Sequence, residues 1–262
     1  MLTLVIYLLL GAGAGLLAGL FGIGGGLIIV PVLVLTFTAL GFPAEILVHL
    51  AVGTSLATII PTSISSTWSH HQRGGVSWHW FKLMAPGILL GALLGAWTAS
   101  LLSGLALQKI IGVFVLLVAV KMAFNLNPPA GTANLSAPGM SVAGGVIGWA
   151  SAIFGIGGGT LSVPFLTWCK AAMHKAVGTS AALGLPIAIF GALGNLWTGW
   201  GHPQLPSGAS GFIFWPAFIG IVLMSVPFAR LGARLAHQLP EKLLKKLFAL
   251  LLLVVGVRFL LA

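Results

Sequence analysis

The stretch FGIGGGLIIVPVL at Phe21–Leu33 returns as FGIGGGTLSVPFL at Phe154–Leu166, identical at nine of thirteen positions. HLAVGTS, His49–Ser55, then returns as HKAVGTS, His174–Ser180, with one change, and Pro61 and Pro186 follow at the same spacing. Two matches in the same order mean an internal duplication, so whatever one half folds into, the other must accommodate a second time. The halves are residues 1–124 and 141–262, joined by a polar, proline-containing linker at 125–140.

Each half reads as five apolar segments. They fall at about 3–20, 25–40, 46–67, 79–103 and 107–124, then at about 141–153, 158–169, 176–199, 211–236 and 242–261. Several approach the roughly 20 residues that cross about 30 Å of hydrocarbon. Only 5% of the residues are charged, where a soluble domain carries roughly a quarter. The expected class is an all-α, multi-pass membrane protein of two repeats, in contact with lipid throughout. The first segment lacks a basic leader and runs straight into the glycine motif, so it is expected to stay in the mature fold. Cys169 is the sole cysteine, which removes an internal disulfide or a cysteine metal cluster.

Twelve Lys and Arg against two acids give a net charge of +10, but no dense basic run is interleaved with aromatics, so no nucleic-acid partner is expected. Basic residues in short membrane loops set orientation instead. With both termini outside, ten of them fall inside, at 73, 82, 121, 170, 175, 230, 234, 242, 245 and 246, and only Lys109 and Arg258 fall outside. The basic loop shifts by one crossing between the halves, which predicts inverted repeats. Inverted repeats whose broken helices meet near the midplane are a recurrent transporter architecture. The segments beside each FGIGGG are short for full crossings, 141–153 above all. A re-entrant hairpin of half-helices and a pair of full crossings both remain open there.

Gly11, Gly15 and Gly19, like Gly87, Gly91 and Gly95, recur every fourth position, the spacing of close helix packing. The runs Gly24, Gly25, Gly26 and Gly157, Gly158, Gly159 differ, because a helix follows each at once. Three glycines cost roughly 1 kcal/mol each in a helix interior. They free backbone N–H groups at a helix start, where the dipole favours an anion. Thr54 and Ser55, with their counterparts Thr179 and Ser180, offer hydroxyl donors without a buried charge. Glu45 and Glu241 are the only carboxylates, which argues against a polyvalent cation as cargo and against an acidic proton relay. His49 and His174 precede the AVGTS copies, as candidates for coupling or gating. Trp68, Trp197 and Asn195 are further candidates for coupling or gating, and the two tryptophans also for shaping the path. His70, His71 and His79 sit beside Arg73 and Lys82 as an interfacial loop, so no metal is expected.

With these residues assembled, the chain resembles the TauE/SafE sulfite exporter family. The two FGIGGG…VP motifs, the two AVGTS motifs and HHQRGGVSWHW carry the resemblance. It implies secondary export of sulfite or a related organosulfonate across a bacterial inner membrane, without cofactor. No GxxxxGK[ST] motif is present, in keeping with a carrier that is not ATP-driven. A passive anion channel is the alternative. Homo-oligomerisation is left open. An intramembrane hydrolase would need Ser55 or Ser180 beside His49 or His174. A regular helix separates each pair by roughly 9 Å along its axis, beyond hydrogen-bond reach, so no enzyme is expected.

Overall fold

A computed structural model describes residues 2–21, 26–124, 135–236 and 241–261. Gly24, Gly25 and most of the expected linker, 125–134, lie outside the described residues. The first half carries α1 (Leu2–Phe21), α2 (Gly26–Ala39), α3 (Ala44–Gln72), α4 (Trp78–Ser100) and α5 (Gly104–Ala123). The second carries α6 (Ala137–Phe154), α7 (Gly159–Trp168), α8 (Met173–Thr198), α9 (Trp215–Ala236) and α10 (Glu241–Leu261). A minimal antiparallel pair, β1 (Ala209–Ser210) and β2 (Ile213–Phe214), precedes α9. Helices α3, α4, α5, α6 and α8 are each long and apolar enough to cross a membrane. The chain is an all-α, multi-pass membrane protein.

Helices α2 and α7 have only 14 and 10 residues. At 1.5 Å per residue they rise about 21 and 15 Å, short of about 30 Å of hydrocarbon. The short member of each glycine hairpin is thus the helix after the motif, whereas the sequence pointed to 141–153 before it. Helix α6 reaches 18 residues because Ser136-Ala137-Pro138-Gly139, which reads as linker, forms its first turn. Ser136 Oγ accepts from Gly139 N at 3.4 Å, and Pro138 sits where no N–H is lost. Likewise the apolar run from 211 does not start a helix. Gly208 and Gly211 take left-handed φ values of 90° and 52°, which turns the chain into the β1–β2 hairpin and delays α9 to Trp215.

Each half's opening helix packs on the other half's fourth helix: α1 along α9, and α6 along α4. The contacts repeat at matching glycines. A methyl on Gly11 would stand 2.8 Å from Ile221 Cα, and one on Gly15 2.5 Å from the Ser225 carbonyl oxygen. Their counterparts on α6, Gly144 and Gly148, would each place it 2.5 Å from a carbonyl oxygen, of Met84 and Ile88. Gly87, Gly91 and Gly95 of α4 answer against Ser141, Gly145 and Trp149 of α6. Backbones approach this closely only where no side chain intervenes, so the fourfold glycine spacing is a packing device.

Helices α3 and α8 form the centre. Of their most apolar stretches 78% and 61% are buried, against 33–39% for α4, α5 and α6. They run antiparallel: Gly53 meets Asn195, Leu56 meets Gly191, and Ser63 meets Gly184. Pro61 and Pro186 each remove a backbone hydrogen bond near the middle of these helices.

Candidate functional site

Each AVGTS copy holds down the chain that enters a fourth helix. Gly53 lies flush against the Phe212 carbonyl, and Gly178 against that of Gly75. Thr54 Oγ1 accepts from Phe214 N at 2.9 Å, and Thr179 Oγ1 from Ser77 N at 2.8 Å. Phe214 and Ser77 immediately precede α9 and α4. The glycine makes room for the incoming backbone, and the threonine accepts from an N–H at a helix start, where intrahelical acceptors are lacking. Lys175 Nζ adds a bond to the Gly74 carbonyl at 2.6 Å.

The serine after each threonine serves a different place. Ser55 Oγ donates to the Gly155 carbonyl at 2.8 Å, and Gly155, at φ 65°, ends α6 inside the second FGIGGG copy. A methyl on Gly26 would stand 2.8 Å from that same oxygen, 2.8 Å from Ile156 Cα and 2.9 Å from Ile59 Cδ1. The two glycine motifs therefore meet. Beyond Gly155 the chain turns into α7, where a methyl on Gly158 would stand 2.9 Å from the Ser180 carbonyl oxygen and 3.2 Å from Ser162 Oγ. One on Gly184 would lie 3.1 Å from Ser63 Oγ. Ile59 and Ser63 lie near the middle of the 29-residue α3, and Gly184 near that of the 26-residue α8. Gly26 and the second turn are therefore level with the centre of the helix pair.

Buried hydroxyls of α7 and α8 next to the second turn have no bonding partner among the described residues. Ser162 is 0% and Ser180 1% exposed, and among the described residues neither Oγ has a hydrogen-bond partner, nor has the buried Thr160 Oγ1. Burying an unbonded hydroxyl costs about 1–3 kcal/mol. Gly158 gives α7 no side-chain cap, which leaves its first N–H groups and the positive end of its dipole at the same spot. Ser162 Oγ and the start of α7 lie together here, uncharged donors of the kind that suit an anion. Thr160, Ser162 and Ser63 escaped the sequence reading because it followed duplicated positions. The first motif has Leu27 and Ile29 where the second has Thr160 and Ser162. The usable signal was that departure from the repeat.

The remaining candidates stand apart from the turns. His49 is buried, its Nε2 3.0 Å from the Ala99 carbonyl oxygen and its ring 5.1 Å from that of Phe212. Its counterpart His174 is exposed. Asn195 Nδ2 donates to the Gly191 carbonyl at 2.9 Å, while the Asn195 carbonyl accepts from Phe212 N at 3.1 Å. Trp68 and Trp197 are 63% and 84% exposed, near the ends of α3 and α8.

The model of the sulfite exporter TauE/SafE family matches residues 7–259. A probable membrane transporter protein of Haemophilus influenzae is 40% identical over 255 residues, 97% of either chain. The probable membrane transporter protein MJ0441 of Methanocaldococcus jannaschii is 26% identical over 270 residues, 100% of this chain and 97% of its own. The probable membrane transporter protein YunE of Bacillus subtilis is 24% identical over 276 residues, 97% of this chain and 96% of its own. No solved structure matches the chain.

Proposed function

The chain belongs to the TauE/SafE sulfite exporter family and is a membrane transporter, and from that footing we propose that it exports sulfite or a related small organosulfur anion as a secondary carrier of the bacterial inner membrane. The observation that carries the reading is the meeting of the two glycine motifs level with the middle of α3 and α8. The anion is held there by amides of Gly26 and Gly157–Gly159 with the hydroxyl of Ser180, while Ser55 Oγ gives its proton to the Gly155 carbonyl and fixes that turn. Thr54 and Thr179 stand behind them, their oxygens already engaged with backbone, and hold the shape of the site.

The two halves are inverted in the membrane. Supporting this, their matching helices α3 and α8 lie antiparallel, as the ten-to-two basic bias expects. Neutral donors bind an anion without the penalty of a buried cation, and weakly enough to let it go. The mutual contact of Gly26 with Gly155 and Ile156 favours a carrier, since an open pore would keep the turns apart.

The test is sulfite uptake into proteoliposomes of the purified protein, with and without a pH gradient. A saturable, gradient-driven flux is expected. Flux without saturation or coupling would mean a channel, and flux no greater than in empty liposomes would refute sulfite as cargo.

A further inference from the structure

We infer that the anion site just proposed, on whose reading this rests, is one-sided: a small oxyanion sits against the second glycine turn, held by Ser162 and Thr160 of α7 with Ser180 of α8. The duplication suggests two equal cradles, but the side chains around them are not equal. At the first turn the positions matching Thr160 and Ser162 are Leu27 and Ile29, 3% and 5% exposed. Ile59, which matches Gly184, presses on Gly26, and Gly155 and Ile156 close the other side. Gly26 therefore has an apolar, filled surround.

The second turn has the reverse character. Ser162 Oγ lies beside Gly158 and has no bond among the described residues. Thr160 Oγ1 and Ser180 Oγ are equally buried and unpartnered. Three unmatched hydroxyls and an uncapped helix start make a donor set for a compact anion with several acceptor oxygens, such as a pyramidal or tetrahedral oxyanion. A group that binds cargo and bonds to nothing else has a signature of its own. Its removal harms binding and spares the empty protein, because an unsatisfied buried hydroxyl stabilises nothing.

The full-length protein in detergent is titrated with sodium sulfite by calorimetry, and its thermal unfolding is followed without ligand. Ser162→Ala should weaken sulfite binding by roughly ten- to a hundredfold while the midpoint of the empty protein holds or rises. Ser180→Ala should do the same. Thr36→Val, which deletes a hydroxyl bonded to the Val32 carbonyl at 2.8 Å on α2, should leave the affinity unchanged. Parent-like affinity in Ser162→Ala overturns the one-sided site and leaves sulfite transport standing. A fall in unfolding midpoint without ligand also overturns it, since the hydroxyl would then serve the fold. A parent protein that binds no sulfite removes the functional reading and this inference together.

Discussion

Replacing Thr54 by valine keeps the side chain's shape and deletes the acceptor for Phe214 N. Thr54 is fully buried and Phe214 nearly so, so the orphaned N–H has no water to turn to and the cost is about 1–3 kcal/mol. Thr179→Val orphans the N–H of Ser77, which is only half-buried, and water can repair part of the loss, leaving about 0.5–1.5 kcal/mol. For a chain of this size 1 kcal/mol moves the unfolding midpoint by about 2–4 °C. Thr54→Val should therefore lower it by roughly 2–12 °C and Thr179→Val by roughly 1–6 °C. The two sites share no partner, so the double variant should show about the sum. Thermal unfolding in detergent reads these shifts, with sulfite affinity measured in parallel. Unchanged midpoints together with lost sulfite binding would refute the clamp and make the threonines ligands.

Gly26→Ala drives a methyl into the Gly155–Ile156 backbone and should abolish uptake, whereas Gly13→Ala meets nothing within 4 Å and should leave uptake at the parent rate. Gly91→Ala forces α4 from α6 at Gly145 and should lower the unfolding midpoint before it alters affinity for sulfite. In a Cys169→Ser background, a cysteine near His202 should react with an impermeant thiol reagent in intact cells and one at Gly131 should not. The opposite pattern would overturn the assignment of both termini to the outside.

The ten helices were legible because apolar length and the Gly and Pro punctuation between segments are local properties. Their ends were less so. Ser136-Ala137-Pro138-Gly139 has loop composition and helix-cap geometry, and only the bond from Gly139 N decides between them. AVGTS was legible as a motif but not as a device: Thr54 and Phe214 are far apart in the chain, and nothing near either one announces the other. The duplication was the strongest guide to the turns, yet it hid Ser162. Attention to what is repeated passes over the position where one copy has isoleucine and the other serine. A chemical difference between two halves of one site appears only when both are seen folded around it.

Helix α1 packs along α9, so its partner leaves the ribosome only after everything from Phe21 to Trp215 has been translated. At about 5–20 residues per second that interval is on the order of ten to forty seconds. Throughout it, Gly11 and Gly15 lack the backbone of Ile221 and Ser225 that they later meet. Helix α6 has no such wait, since α4 is already inserted when it emerges. Glycine suits the delayed surface: it brings no polar side chain into hydrocarbon, and it offers no apolar knob that would dock on the wrong neighbour meanwhile. The unbonded hydroxyls at the second turn, Ser162 and Ser180, fall on α7 and α8, which leave the ribosome in succession and after α3. Apart from Tyr7, which meets Gly220 with its hydroxyl unbonded among the described residues, the surface left bare longest during synthesis is thus one that lipid can cover at little cost, and Ser162 and Ser180 are delivered when their neighbours are nearly complete.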